Sequence, residues 1–505
     1  MGRATKVLAG AALVAALGIA ACFALWPGRF VVNAPVRHMI FGRGIEPLPE
    51  DAVLRRLRSP AGASVARFAQ DLPNVRFLRF TPAGDLLASQ PRAGRVVILA
   101  ADRDGDGRSD GRHEVVAGLD RPHGLDLHDG WLYVAETGAI GRIRFDPATG
   151  RASGAFERVV TGLPAGGNHW TRTLRFGPDG WMYVSIGSSC NVCVEDDPRR
   201  AAIVRYRPDG SGEEVFATGL RNSVGFDWRP EDGQIYATDN GRDLLGDDFP
   251  PCELNRVVRG GFYGWPVAHG DRVPDPDLGK GQEARVAASI PPVHAFRAHN
   301  APLGIAFLRG EGVPAGYRGA AVVALHGSWN RTKKDGYEVV SLHWGPDGRI
   351  AEREFLTGFL GPTGDDPIGR PVDVAQGPDG SVYVSDDYAA SIYRVAWTPG
   401  PSAARGAPSS SRGGELGAGS PAEPGDSPAR ARGRALWDRH ACAACHDRRA
   451  AVPGMVTRPL AGLGGRYDAS SLAGYLKAPQ PPMPAFDLDD GERSDLALFL
   501  LAEHP

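Results

Sequence analysis

Phe176-Gly-Pro-Asp-Gly-Trp-Met-Tyr-Val184 compresses the end of one apolar strand, a tight turn and the start of a second strand into nine residues. Alternating apolar and polar side chains mark the strands, and Pro and Gly supply the φ values that a hairpin turn requires. The pattern returns in Phe80-Thr-Pro-Ala-Gly-Asp-Leu-Leu87, Leu125-Asp-Leu-His-Asp-Gly-Trp-Leu-Tyr-Val134, Phe226-Asp-Trp-Arg-Pro-Glu-Asp-Gly-Gln-Ile-Tyr236 and Val374-Ala-Gln-Gly-Pro-Asp-Gly-Ser-Val-Tyr-Val384. A degenerate sixth copy pairs Leu303-Gly-Ile-Ala-Phe307 with Gly319-Ala-Ala-Val-Val-Ala-Leu325. No hairpin can bury its own face. Copies spaced about 45 to 80 residues apart therefore predict a mainly β chain folded as a six-bladed β-propeller, which protects its strand edges by closing into a ring. An open solenoid or two sandwiches would explain so few copies less well. The wider spacings after the fourth copy predict insertions that build one functional face.

The composition agrees, because Gly at 67 and Pro at 42 are together more than a fifth of the 505 residues. Such turn-rich usage belongs to an all-β domain with linkers. Lys+Arg at 57 against Asp+Glu at 59 leaves a net charge of -2. That supplies no field to hold a nucleic-acid backbone, so no nucleic-acid partner is expected. The length allows two or three domains. The propeller is assigned to residues 45–397. Residues 398–432, rich in Pro, Gly, Ser and Ala with few large apolar side chains, read as a disordered linker. Residues 433–505 remain as a small all-α domain.

That last domain carries Cys442-Ala-Ala-Cys445-His446. Two thiols at this spacing add to the vinyl groups of a haem, and the adjacent imidazole binds the iron from one side, so the segment predicts a cytochrome c domain holding haem c. The sixth ligand is assigned to Met483 in Pro481-Pro-Met-Pro484, a proline-stiffened loop, with Met455 as the competitor and His440 read as a surface residue. A His/Met pair raises the haem potential, as suits an acceptor of electrons.

At the N-terminus, Arg3 and Lys6 precede an apolar run from Val7 to Trp26, the plan of an export signal over residues 1–30. The run is about long enough to span a bilayer uncleaved. Ile19-Ala-Ala-Cys22 also resembles a bacterial lipobox cleaved and lipidated at Cys22, and simple cleavage to a free protein is the third outcome. The expected location is the periplasm, with a tether to the inner membrane. Among the other cysteines, Cys190 and Cys193 form a C-x-x-C without the second pair that a zinc site needs, so a disulfide is expected, with Cys252 as an alternative partner to either. Asp102-Arg-Asp-Gly-Asp-Gly-Arg-Ser-Asp110 begins like an EF-hand calcium loop but has His113 where the bidentate glutamate belongs, leaving a weak calcium site or an Asx-rich turn.

Between Leu72 and Val395 several short motifs carry a family likeness. They are Gly167-Asn-His169, Gly219-Leu-Arg-Asn222, Thr238-Asp-Asn-Gly-Arg-Asp-Leu-Leu-Gly-Asp-Asp248, Glu253-Leu-Asn255, Gly260-Gly-Phe-Tyr-Gly-Trp-Pro266 and Gly369-Arg-Pro-Val-Asp373. With them the chain resembles the soluble-type pyrroloquinoline quinone (PQQ) sugar dehydrogenases, especially the branch labelled L-sorbosone dehydrogenase. The resemblance implies that His169 is the general base and that Arg221 stabilises charge on the quinone. It further implies that Asn222 and Arg370 hold that cofactor and that carbonyls of Asn240-Gly241-Arg242 bind Ca2+. The residues alone point instead to Asp239, Asp243, Asp247 and Asp248 as calcium ligands. Asn168 stands where glucose-oxidising members have an aspartate, and its amide oxygen is expected to orient His169. No lysine matches the family's cofactor lysine. Arg331, Lys333 and Lys334 are the replacements, with Trp329 expected to stack on the quinone. His123, in Arg121-Pro-His-Gly124, is placed on the same face or in the core.

The expected activity is PQQ- and calcium-dependent oxidation of an aldose or sugar aldehyde, with electrons passing to the haem and on to a respiratory acceptor. A calcium-dependent lactone hydrolase and a non-catalytic docking propeller are the alternatives, and neither gives as direct a reason for the fused haem motif.

Overall fold

The computed structural model describes residues 49–361, 364 and 367–397. Toward the C-terminus it describes 428–440, 442, 446, 460, 463, 467–477, 479 and 488–503, and near the N-terminus only Val14, Leu17 and Gly18. The export segment 1–30, most of the linker, Cys445, Met455 and Met483 lie outside the described residues. Two compact units divide the chain, Met1–Ala404 and Arg405–Pro505. Among the described residues no helix is long and apolar enough to cross a membrane.

The first unit is the six-bladed propeller, each blade an antiparallel sheet of four strands, with one short extra strand on blade three. Blade one is Leu78–Phe80, Leu86–Gln90, Arg95–Leu99 and Arg112–Val116, and blade two is Leu125–His128, Trp131–Ala135, Ala139–Asp146 and Arg151–Thr161. Blade three is Arg172–Phe176, Met182–Ile186, Ala202–Tyr206 and Glu214–Thr218, and blade four is Phe226–Trp228, Ile235–Asp239, Cys252–Val257 and His294–Phe296. Blade five is Pro302–Phe307, Ala321–Leu325, Glu338–Trp344 and Ile350–Leu356. Every copy of the sequence repeat falls on the first hairpin of a blade.

Blade six joins both ends of the propeller sequence. Pro371–Gln376, Val382–Asp386 and Ser391–Trp397 supply three strands, and Ala63–Ala69, from before blade one, supplies the outermost, with Ala63 opposite Trp397. Apolar faces that single hairpins cannot bury are buried between blades. Leu86, Ala88 and Leu99 of blade one pack on Tyr383 and Ile392 of blade six, and Val184 and Val204 of blade three on Tyr133 and Ile140 of blade two. Removing one such side chain, as in the fully buried Leu86→Ala, should cost about 2–5 kcal/mol.

A polar lock repeats beside these seams. Asp126 of blade two accepts from the Phe176 N–H of blade three, Asp227 of blade four from Phe307 of blade five, and Asp373 of blade six from Leu78 of blade one. Blades one and three answer with arginine: Arg79 lies 2.7 Å from Asp126 and Arg175 3.3 Å from Asp227. Blade five carries Ala306 at that position, so burial pushes Asp373 up to about 7. Arg175 and Arg309 more than offset the burial of Asp227 and hold its carboxyl below the usual range.

In the second unit, helices Pro428–Arg439, Ala469–Lys477 and Asp490–Glu503 enclose Leu436, Leu463, Leu472, Leu476, Leu496 and Phe499. Helix thus begins at Pro428, inside the stretch that composition assigns to the linker. The first and last helices cross at Gly433, where a Cβ would stand 2.1 Å from the Asp495 carbonyl oxygen, so only glycine allows the approach. Arg432 pairs with Asp495 across the same crossing at 2.6 Å.

Candidate active site

First strands of neighbouring blades lie against one another around the ring axis. Each runs from one end of the ring to the other and each second strand returns, so loops before the first strand and after the second share one end. His169, Arg221, Asn222 and Arg370 precede first strands, whereas Asn240, Gly241, Arg242, Trp329 and Arg331 follow second strands. All nine therefore belong to the same face of the propeller.

His169 is half-buried with Nδ1 2.9 Å from the Ser188 carbonyl oxygen and 3.0 Å from the Ser188 hydroxyl. A carbonyl only accepts, so Nδ1 carries the proton and the Nε2 lone pair is left as the base. The Ser188 hydroxyl donates onward to the Cys190 carbonyl at 2.7 Å. Burial first, and the Arg221 cation second, push His169 down to about 3. Asn168 is exposed and its N–H donates to the Ser189 carbonyl at 2.8 Å, so Ser188 holds the imidazole in place of the expected Asn168 amide. Gly187 sets the spacing of base and amide, because a Cβ there would be 2.6 Å from both Asn222 Oδ1 and His169 Cβ.

Arg221 is 4% exposed and wholly engaged. Nε donates to the Asn191 carbonyl at 2.9 Å, Nη2 to Asn191 Oδ1 at 2.9 Å and Asp243 at 3.2 Å, and Nη1 to the Asn240 and Gly241 carbonyls at 3.1 and 3.0 Å. Burial lowers its pKa against the opposing pull of Asp243 and Asp239. Asp239 fixes the backbone, accepting the Arg221 N–H at 2.9 Å and the Asn222 N–H at 2.6 Å. Burial and neighbouring Glu253 push Asp239 up to about 8.

Arg370 donates to the carbonyls of His326 and Gly327 at 2.9 and 2.7 Å. His326, held neutral by burial and then by Arg370 with a pKa of about 4, meets Asp387 at 3.0 Å, and Asp387 meets Arg76 at 2.6 Å. Arg76 lies 5.6 Å over the ring of Trp170, the neighbour of His169, and Trp170 packs edge-on to His123. His123 is on this face but fully enclosed, and its buried Nε2 has no partner. Sequence reading missed Arg76, Trp170, His326 and Asp387. Their positions were the available signal: His326 and Asp387 directly follow second strands, and Arg76 precedes a first strand as Arg370 does.

A planar trianion such as PQQ fits this end. Three guanidinia, two histidines and the Asn222 amide gather there, and the enclosed His123 Nε2 still needs a partner. A hard cation also fits, since the Asn240 and Gly241 carbonyls already converge on one cationic nitrogen and the buried Asn240 Oδ1 lacks a partner. To bind there, the cation would have to take those carbonyls from Arg221. The side chain of Arg242 is spent elsewhere, on Asp275 at 2.6 Å and Asp277 at 2.9 Å. Trp329 is 37% exposed, and Arg331 ties its loop to Asp248 at 2.9 Å. Of the acidic alternatives, Asp243 and Asp248 pair with Arg221 and Arg331, while Asp247 accepts the Thr332 N–H at 3.0 Å.

The cysteines resolve into a Cys190–Cys193 disulfide and a buried free Cys252. In the EF-hand-like loop, Asp102, Asp104 and Asp110 bring oxygens within 4.8 Å of one another, but Asp102 accepts from Gly105 and Gly107 and pairs with Arg394 at 2.6 Å. In the second unit, Cys442 is buried and the His446 N–H donates to its carbonyl at 3.1 Å, so thiol and imidazole stand on one helical turn. The His446 ring lies 6.2 Å from Trp437.

Comparison with known proteins gives the lineage of the first unit. An "Uncharacterized protein" of Borreliella burgdorferi is 38% identical over 218 residues, covering 42% of this chain and 56% of the relative. A "Pyrroloquinoline quinone-dependent pyranose dehydrogenase" of Coprinopsis cinerea is 26% identical over 417 residues, covering 67% of this chain and 54% of the relative. The chain thus spans about half the length of the curated relatives it matches first. In the solved "Calcium structure of Trichoderma reesei Carbohydrate-Active Enzymes Family AA12" the same fold recurs with a TM-score of 0.59 at 22% identity, covering 70% of this chain and 99% of that one. A family model described as TrAA12-like matches residues 57–249 and 275–398, more than half of the chain, and the chain therefore belongs to the TrAA12-like family.

Proposed function

We propose that the propeller is a PQQ- and calcium-dependent dehydrogenase of an aldose or sugar aldehyde. The observation that carries this reading is a base and a buried guanidinium held side by side on one face, His169 through Ser188 and Arg221 through Asn191 and Asn240-Gly241. The name borne by the Coprinopsis cinerea relative supports both the quinone and a pyranose-like substrate.

Bound at this face, the quinone would supply a two-electron acceptor beside the substrate carbon. The chain's own groups do the rest. His169 Nε2 takes the proton of the substrate hydroxyl, and the Nδ1–H bond to Ser188 keeps the lone pair in the required tautomer. Arg221, Asn222, Arg370, Arg76 and His326 would hold and orient an anionic planar ligand, and the buried guanidinium of Arg221 would supply positive charge beside it. Calcium at the Asn240 and Gly241 carbonyls would supply a Lewis acid.

The second unit we read as a cytochrome c domain. Cys442, Cys445 and His446 would hold haem c, with Met483 as the further protein ligand to its iron. The helix crossing at Gly433 and the shared turn of Cys442 and His446 support this, and the haem would supply a one-electron acceptor for delivery to a respiratory partner. Export to the periplasm, with an N-terminal tether to the inner membrane, completes the reading. The Cys190–Cys193 disulfide supports an oxidising compartment.

Reconstitution tests the whole. Adding PQQ and calcium to the apo-protein should produce sugar-dependent reduction of the haem band. A lactone hydrolase or a docking propeller would leave that band unchanged under any sugar.

A further inference from the structure

Arg221 is gripped along two edges, and the second edge belongs to a loop that neither the repeat nor the motifs explain. Nη1 faces the Asn240 and Gly241 carbonyls, the pair that a cation would claim. Nε and Nη2 face Asn191, which accepts one bond at its carbonyl and one at Oδ1, both at 2.9 Å. Asn191 is itself fixed. Its Oδ1 also accepts the Asp243 N–H at 2.8 Å, its Nδ2 donates to the Asp243 carbonyl at 3.1 Å, and its carbonyl accepts from Trp265 Nε1 at 3.4 Å.

The loop carrying Asn191 is closed on both sides by the Cys190–Cys193 disulfide. Glu195 pins the segment just before it, accepting from the Ser189 N–H at 2.6 Å and the Ser189 hydroxyl at 2.8 Å. The Cys190 carbonyl takes the hydroxyl of Ser188, the residue that orients His169. One small covalent ring thus touches the supports of both base and guanidinium. If a cation takes the Asn240 and Gly241 carbonyls, Asn191 and Asp243 are the remaining partners among these five bonds, and only Asn191 meets Arg221 with two acceptors.

We infer that Asn191, held in the disulfide-closed loop, is the positioning residue that fixes the orientation of the Arg221 guanidinium toward the cofactor. The inference rests on the reading of Arg221 as a cofactor residue. Asn191 touches no reacting atom; it acts through Arg221, by removing rotamers that the long side chain would otherwise sample.

A double-mutant cycle tests this on the full-length, calcium-supplied apo-protein, with equilibrium dialysis of PQQ as the readout. Asn191→Ala should weaken quinone binding roughly 10–100-fold, the loss of bonds to a charged group. Arg221→Ala should weaken it at least as much, and the double variant no further than Arg221→Ala alone. Cys190→Ala with Cys193→Ala, which opens the ring while keeping Asn191, should weaken binding in the same non-additive way, and it serves if Asn191→Ala does not fold. Additive losses, or wild-type binding by a folded Asn191→Ala protein, would overturn the inference. Arg221→Ala without effect on quinone binding would overturn it together with the cofactor reading, whereas an effect of Arg221→Ala alone removes only Asn191.

Discussion

Nδ1 of His169 stands 2.9 Å from the main-chain oxygen of Ser188, and that contact decides which ring nitrogen can act as a base. Replacing His169 by Ala removes the acceptor of the substrate proton but none of the guanidinium contacts. Sugar oxidation should fall about 10²–10⁴-fold while quinone binding and haem content stay as they were. Turnover within twofold of the native protein would remove His169 from the chemistry.

The low basicity of that imidazole has two causes that can be separated. Burial acts first and the Arg221 charge second, and together they bring the pKa to about 3. A base works when unprotonated, so a lowered pKa keeps it competent as pH falls and activity is lost only on passing through the folded value. The acid limb of kcat/KM should therefore lie well below pH 6.5. In the apo-protein, Arg221→Gln should raise the His169 pKa in an NMR titration. No upward movement would mean that solvent screens the pair.

Asp227 and Asp373 occupy the same place in alternate blades but face different partners. Asp227→Asn removes the carboxylate that half-buried Arg175 meets at 3.3 Å, leaving that cation the weaker pull of Asp126 and Asp373, and should cost about 1.5–3 kcal/mol. Asp373 has Ala306 where its counterparts meet arginine, and Asp373→Asn keeps an acceptor for Leu78 N–H, so its cost should stay near or below about 1 kcal/mol. Denaturant melts of the two variants decide this, and equal costs would show that the arginines contribute nothing to the lock.

Met483→Ala should abolish the methionine-to-iron charge-transfer band and lower the haem potential, whereas Met455→Ala should do neither. The opposite result would transfer the ligand assignment to Met455.

Trp397 ends the last strand of the propeller, and a chain truncated after it keeps all six blades. It should still oxidise sugar with a small artificial acceptor. Separate haem unit added in solution should restore electron delivery in proportion to its concentration, matching the native rate only near the effective concentration that covalent connection provides, on the order of millimolar. Loss of all sugar oxidation on truncation would show that the two units act as one.

The ring was legible because its signal is local. Each Pro-Asp-Gly type hairpin announces itself within about ten residues. His169, Arg221 and Arg370 each precede a first strand, so their common face follows from where their short motifs fall in the repeat. What escaped was set by contacts between distant residues: Arg76 and Asp387 meet across 311 positions, and no pattern near either predicts the other. Ser188 escaped for a different reason, since its main-chain oxygen carries the contact and any residue type supplies one. The choice among Cys190, Cys193 and Cys252 also needed three dimensions, because Cys252 lies in the buried third strand of blade four.

Joining Ala63 to Trp397 has a consequence for biogenesis. Ribosomes deliver the earlier partner hundreds of residues before the later one, so blade six cannot assemble while blades one to five are emerging. Contacts of such long sequence separation form slowly because chain closure costs entropy first. Until the seam closes, the unpaired strand Ala63–Ala69 and the open edge of Ser391–Trp397 are templates for pairing with another chain. Newly synthesised protein is therefore most exposed to aggregation just before its final strand arrives, and changes in Ala63–Ala69 should reduce yield more than they reduce the activity of the molecules that mature.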